Sequence, residues 1–149
     1  LGKSEHQTGL AIDLGLKKES IDFIRPDFPY IGICQQFREK SVPYGFIERY
    51  PREKEHITGI AHEPWHFRYV GTPHAEIMRE HHFCLEEYID FLKRFSQDQP
   101  YTFYKDSQEI QIFYLKADTE SVSLEVAEDG SLSVSGNNVD GYIITEWRG

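Results

Sequence analysis

Apolar residues recur along this chain with two different periods. Between Leu10 and Leu14 they alternate: Leu10, Ile12 and Leu14 fall on one side, Ala11 and Asp13 on the other. That pattern predicts a short strand with one apolar face. Residues 17–30 carry charges, Pro26 and Pro29 but no period, and read as a long loop. Ile31, Cys34, Phe37 and Arg38 recur at helical spacing, which predicts a helix over 31–41 that ends before Pro43. Gly45-Phe46-Ile47 opens a second strand, Tyr50 to His56 is a charged turn, and β character returns over 59–71. Thr72-Pro73 then supplies an N-cap and first position for a helix. Leu85, Tyr88, Ile89, Leu92 and Phe95 form one stripe, so 85–95 is the best-marked helix.

From Pro100 onward the pattern shortens. Tyr101–Tyr104, Ile110–Lys116, Val122–Val126, Leu132–Ser135 and Tyr142–Trp147 are β-like runs. Asp129-Gly130, Gly136-Asn137-Asn138 and Asp140-Gly141 punctuate them as turns. The reading is an α+β fold: a small antiparallel sheet flanked by helices over residues 1–97, then a small antiparallel β module over 100–149. The module holds no ionisable cluster that suggests chemistry.

Composition narrows the function classes. With 39% hydrophobic and 14% aromatic residues, 149 residues can bury a core. A net charge of -9 and the lack of any basic run argue against nucleic acid, whose binding depends on neutralising phosphates. No apolar run approaches the ~20 residues that span a bilayer, so no membrane insertion is expected. Nothing resembles a signal peptide. Cys34 and Cys84 stand far apart and outside any C-x-x-C, as two free thiols in a reducing cytoplasm.

The candidate chemistry lies in two short segments. Ser4-Glu5-His6-Gln7-Thr8-Gly9-Leu10-Ala11-Ile12-Asp13 and Glu63-Pro64-Trp65-His66 offer two imidazoles and one carboxylate to a metal, with Glu63 as a spare acid. Catalytic zinc sites use three N/O ligands and an open position, and the spare acid fits a general base. Gly9 lets the backbone turn so that His6 can fold back towards Asp13. Spacing alone is weak, because Glu53-x-x-His56 repeats it inside a solvated charge run. Each residue also has an ordinary reading: His66 as a core-edge histidine, Asp13 as a turn cap. Jointly those readings leave buried charges without partners, which is costly. Pro64 excludes a helical H-E-x-x-H arrangement and demands a bend or bulge between Glu63 and His66. Of the other histidines, His62 alternates to the far face, His74 reads as exposed in a first helical turn, and His81-His82 as a solvated corner.

The pattern Ser4-x-His6-x-x-Gly9-x-Ala11-x-Asp13 followed by Glu63-x-x-His66 resembles the zinc D,D-peptidases of the VanX/VanY group, peptidase family M15. Tyr44-Gly45-Phe46, Arg49-Tyr50-Pro51, Ile57-Thr58-Gly59 and Trp65 to Gly71 extend it, nearest to the VanXY type and covering about Ser4 to Phe95. The resemblance implies one zinc ion per chain held by His6, Asp13 and His66, with Glu63 as catalytic base and Ser4 and Trp65 binding substrate. It implies the small fold shared with the hedgehog signalling domain. The implied activity is cytoplasmic hydrolysis of D-Ala-D-Ala, or of the terminal D-Ala of peptidoglycan precursors, linked to vancomycin resistance.

Two alternatives stand beside it: an endolysin-like L,D-peptidase of peptidoglycan, and a non-catalytic zinc-binding interaction domain. Retention of Glu63 favours catalysis. The family also uses an arginine upstream of the Ser-x-His motif to polarise the scissile carbonyl, and Arg25 and Arg68 do not match its place. An upstream segment of the same gene product is therefore expected to supply that cation and to cover the apolar stripe of 85–95.

Overall fold

Every strand in the computed structural model, which describes residues 4–118, 124 and 130–148, is antiparallel. Two compact units result, Leu1–Glu86 and Glu87–Gly149. The division falls inside a helix, α4 (Leu85–Leu92), while the compositional change in the sequence lies at Pro100.

In the first unit, β1 (Ala11–Asp13), β2 (Phe46–Glu48) and β3 (His66–Tyr69) form a sheet of order β1-β3-β2. Asp13 pairs with His66, Ile12 with Phe67, and Ala11 with Arg68. The hydrophobic centre is Phe28, Cys34 and Phe67, with Leu14, Leu16, Phe37, Phe46 and Trp65 packed around it. Cys34 comes from α1 (Gly32–Ser41), the helix that its apolar spacing predicts. Residues 17–30 form the expected loop, but Pro26 and Phe28 are buried and anchor it.

Arg38 of α1 fastens that loop. Its guanidinium donates to the carbonyls of Phe28, Pro29 and Pro64 and to the Glu48 carboxylate, all within 2.8 Å. It also lies 3.8 Å from the centre of the Tyr30 ring. Tyr30 donates to Glu48 in turn. One buried cation thus ties the long loop, β2 and the segment that leads into β3.

Three expectations change. The apolar face of β1 is covered unevenly: Leu14 packs on the core, whereas Leu10 and Ile12 are about 40% exposed, and Ala11 on the other face is buried. Ala11 and Asp13 face the polar side of β3, where His66 and Arg68 are buried, so hydrogen bonds rather than apolar contact cover that side. The charged segment 50–56 is helical: a 3-10 turn, Arg52–Lys54, runs into α2 (Glu55–Thr58). Only His66–Tyr69 of 59–71 is strand.

The helix after Thr72 is α3 (His74–His81), capped by Pro73, which follows a cis peptide bond. Ala75, Ile77 and Met78 are its buried face. His74 is half-buried rather than exposed, and burial pushes its imidazole down to about 4. His81 and His82 are exposed, as expected.

The second unit is a four-stranded sheet of order β4-β5-β7-β6, built from β4 (Tyr101–Lys105), β5 (Gln108–Lys116), β6 (Ser131–Gly136) and β7 (Gly141–Arg148). Ile110, Ile112, Phe113, Ile143 and Ile144 are buried apolar residues of this sheet. The turn into β7 is organised by Asn137, whose Oδ1 accepts from the amides of Val139, Asp140 and Gly141 at 3.0 Å each. Apart from Leu124, the expected run Val122–Val126 lies outside the described residues. The stripe on α4 is not left open: Tyr88 and Leu92 are buried, and Phe91 and Phe95 pack edgewise on Tyr101. Among the described residues, no helix is long and apolar enough to cross a membrane.

Candidate metal centre

The site is assembled from both ends of one strand pair. Ser4 caps a 3-10 turn, Glu5–Thr8, accepting from the amide of His6 at 3.4 Å. Gly9 closes that turn with φ +73, a left-handed conformation that glycine adopts without penalty. The chain reverses there, and the His6 ring returns over β1, with its Nδ1 3.2 Å from the Ala11 carbonyl. A carbonyl can only accept, so Nδ1 carries the proton and Nε2 is left with its lone pair. That Nε2 points at Asp13, 3.4 Å from Oδ2.

His66 arrives from β3 through the pairing of Asp13 with His66. Glu63 to His66 forms a tight turn in which the His66 amide donates to the Glu63 carbonyl at 3.1 Å. Pro64 sits at the second position of that turn, where its fixed φ is preferred. The bend that the sequence required is this turn. It brings Glu63 Oε2 to 4.0 Å from His66 Nδ1. Burial raises the Glu63 carboxyl above its ordinary range, and the neighbouring Asp13 adds to this.

His6, Asp13 and His66 thus present one ligand atom each, all within 4.8 Å of one another. Among the described residues they are the one group of three or more His, Cys, Asp or Glu side chains placed to hold a metal. His66 is buried and stacks on Tyr50, while His6 and Asp13 are 40% and 32% exposed, so the cluster opens to solvent on one side.

The His66 ring itself tests whether a metal fits. Its Nδ1 lies 2.7 Å from Asp13 Oδ1, and its Nε2 lies 2.6 Å from Glu5 Oε1. A neutral imidazole has one proton for these two acceptors. Either the ring is imidazolium or a cation takes the proton's place between Nδ1 and Asp13. Burial would lower the His66 pKa, but its bonds to Glu5 and Asp13 outweigh this and raise it. Two nitrogens and a carboxylate oxygen, with one side open, make a donor set that suits a catalytic divalent ion.

The motif reading overlooked Glu5. It stands between Ser4 and His6 as an unassigned residue, and only its inward turn reveals it. Its Oε2 accepts from Arg68 at 3.0 Å and from Arg49 at 3.4 Å, and Arg49 is also held in a two-pronged bond by Glu86 at 2.6 and 2.9 Å. Arg68, one of the two cations nearest in sequence for carbonyl polarisation, is therefore engaged by Glu5 and buried; Arg25 is exposed.

Trp65 packs partly against the Phe28–Cys34–Phe67 core. It also lines a cleft of about 640 Å³ with Glu63, Pro64, His62 and Arg25, a volume within the ~300–1,000 Å³ of small-molecule sites. His62 binds Tyr30 at 2.7 Å and Arg52 at 3.2 Å and does not join the cluster. His56 lies on an exposed turn.

Comparison with known proteins points to one family. Residues 1–72 match the family described as VanY: D-alanyl-D-alanine carboxypeptidase. A D-alanyl-D-alanine carboxypeptidase of Enterococcus faecium is 38% identical over 148 residues, 99% of this chain and 45% of that protein. The bifunctional D-Ala-D-Ala dipeptidase and D-Ala-D-Ala carboxypeptidase VanXYC of Enterococcus gallinarum is 53% identical over 92 residues, 61% of this chain and 48% of that protein. The chain spans about half the length of these relatives. The crystal structure of the vancomycin-resistance D,D-dipeptidase VanXYg, in complex with a D-Ala-D-Ala phosphinate analog, superposes with a TM-score of 0.94 at 55% identity. That match covers 97% of this chain and 58% of the other, and the mixed α+β architecture is common to both. Over residues 1–72 the chain belongs to the VanY family of D-alanyl-D-alanine carboxypeptidases.

Proposed function

We propose that the protein is a zinc-dependent D,D-dipeptidase and D,D-carboxypeptidase of the VanXY type. It would cleave D-Ala-D-Ala, or the terminal D-Ala of peptidoglycan precursors, and so deplete the target of vancomycin. The observation that carries the reading is the Glu63 carboxylate beside three convergent ligand atoms, 4.0 Å from His66 Nδ1. The likeness to VanXYg, which binds a D-Ala-D-Ala phosphinate analog, supports the substrate class. We assign this activity to the cytoplasm, a compartment that suits two buried cysteines outside any disulfide.

His6, Asp13 and His66 would hold one zinc ion, through the nitrogens and oxygen that face one another. The ion would supply Lewis acidity, which polarises a carbonyl and brings the pKa of water towards ~7. Glu63 takes the proton of the attacking water and passes it to the leaving amine as the C–N bond breaks. The partial burial that raises its pKa suits a group that must hold that proton between the two transfers. Ser4, at the exposed rim beside His6, binds the substrate carboxylate, and Trp65 walls the cleft next to Glu63.

The test is release of D-Ala from D-Ala-D-Ala and from a peptide ending in D-Ala-D-Ala, with the zinc-loaded protein and its Glu63→Ala variant. Turnover that disappears in the variant supports the reading. Zinc binding with no turnover of either substrate would leave a binding domain instead.

A further inference from the structure

We propose that Glu5 is a positioning residue for the metal centre, holding His66 through Nε2 so that the Nδ1 lone pair faces Asp13 and His6. The inference rests on the reading of His6, Asp13 and His66 as metal ligands.

Glu5 is adjacent in sequence to a ligand but works on the other histidine. Its neighbour His6 stays 40% exposed, whereas the Glu5 side chain turns inward and is 17% exposed. There it lies 2.6 Å from His66 Nε2. Its second oxygen is held by Arg68 and Arg49. Two guanidiniums donating to one oxygen mark the Glu5 side chain as a carboxylate, with its other oxygen on His66. A carboxylate without a proton can only accept. Nε2 must therefore donate, which leaves Nδ1 deprotonated in the neutral ring.

Three consequences follow for a ligand histidine. Its tautomer is fixed, its ring plane is fixed, and its free nitrogen is made more basic by the negative charge behind it. The Ala11 carbonyl does the first two for His6 through Nδ1. The two histidines are thus set through opposite nitrogens, His6 by a neutral acceptor and His66 by a charged one. Arg49, itself bound by Glu86, and Arg68 keep Glu5 from swinging out to solvent. Loss of such outer partners typically costs ~10–100-fold in metal affinity.

The experiment compares zinc affinity, by competition with a chromophoric chelator, in the wild type, Glu5→Gln, Glu5→Ala and His66→Ala. Histidine side-chain nitrogen spectra of the metal-free proteins run alongside. Glu5→Ala should bind zinc ~10–100-fold more weakly and lose the exchange-protected Nε2 proton signal of His66. Glu5→Gln keeps an acceptor but not the charge, so it should retain that signal and fall between the wild type and Glu5→Ala. A merely structural role would leave the signal and this ordering unmoved. Should Glu5→Ala fail to fold, Glu5→Gln decides by its weakened affinity. Wild-type affinity in folded Glu5→Gln and Glu5→Ala would overturn the positioning role while His66→Ala still abolished binding. A wild type that binds no zinc would instead overturn the ligand reading, and the positioning role with it.

Discussion

Glu63 and His66 meet at 4.0 Å because the chain turns between them, not because they share a strand face. On a flat strand, residues three apart project to opposite sides. The turn through Pro64 and Trp65 cancels that divergence and leaves the acid next to the ligand without making it one. Separate losses of metal and of rate are therefore expected at the two positions.

Replacing His66 should remove metal. His66→Ala deletes one of three ligands and should reduce zinc content towards zero by metal analysis of the purified protein. His56→Ala and His62→Ala should keep full stoichiometry, since neither joins the cluster. A fully loaded His66→Ala protein would refute the ligand assignment.

Replacing Glu63 should remove rate and spare metal. General-base assistance is typically worth ~10²–10⁴-fold, so Glu63→Gln should fall by that factor on D-Ala-D-Ala with zinc content unchanged. Near-normal turnover would show that another group moves the proton.

Arg38 should be costly to remove. Its side chain and that of Glu48 are 9% and 15% exposed, and it also satisfies three carbonyls. Breaking a buried pair from one side typically costs ~3–5 kcal/mol. Denaturant unfolding of Arg38→Ala should show a loss of about that size, and a change below ~1 kcal/mol, the level of an exposed pair, would mean that the loop is anchored elsewhere.

His74 should make stability fall in mild acid. Its imidazole titrates near 6.5 when unfolded and is pushed down to about 4 in the fold, at a helix N-terminus that further disfavours positive charge. The unfolded chain thus binds more protons between these values, so stability is complete above about pH 6.5 and declines as pH drops towards 4. Comparing unfolding free energy at pH 5 and pH 7, His74→Phe should show a smaller decline than the wild type. Equal declines would assign the acid sensitivity to other groups.

The longer helices and most strands were legible because each carries its own period, whereas the short helical segment Arg52–Thr58 carries none. The helix spacing of Ile31, Cys34 and Phe37 and the β-like runs that became β5 and β7 needed no distant partner. The candidate ligands His6, Asp13 and His66 were legible as a motif, since their types and order are distinctive. Glu5 was not, because nothing local distinguishes an inward acid from a solvated one next to a ligand. Its role depends on Arg49 and Arg68, which reach it only through the folded sheet. Likewise, the Leu10–Leu14 alternation marked the strand but not the burial of Ala11 on its other face. A polar network buries the other side, and apolar counting has no signal for that.

The pairing of Asp13 with His66 makes the cluster a gauge of strand alignment. Sliding β1 by a single residue against β3 would send Asp13 to the opposite face of the sheet. Every ligand would then be present in the sequence and absent from the site. An ion that binds only the correctly aligned sheet adds its binding free energy to that alignment alone. Metal would in this way proofread the assembly of the strands, and substitutions at Ile12 or Phe67 that loosen the alignment should weaken binding without touching a single donor atom.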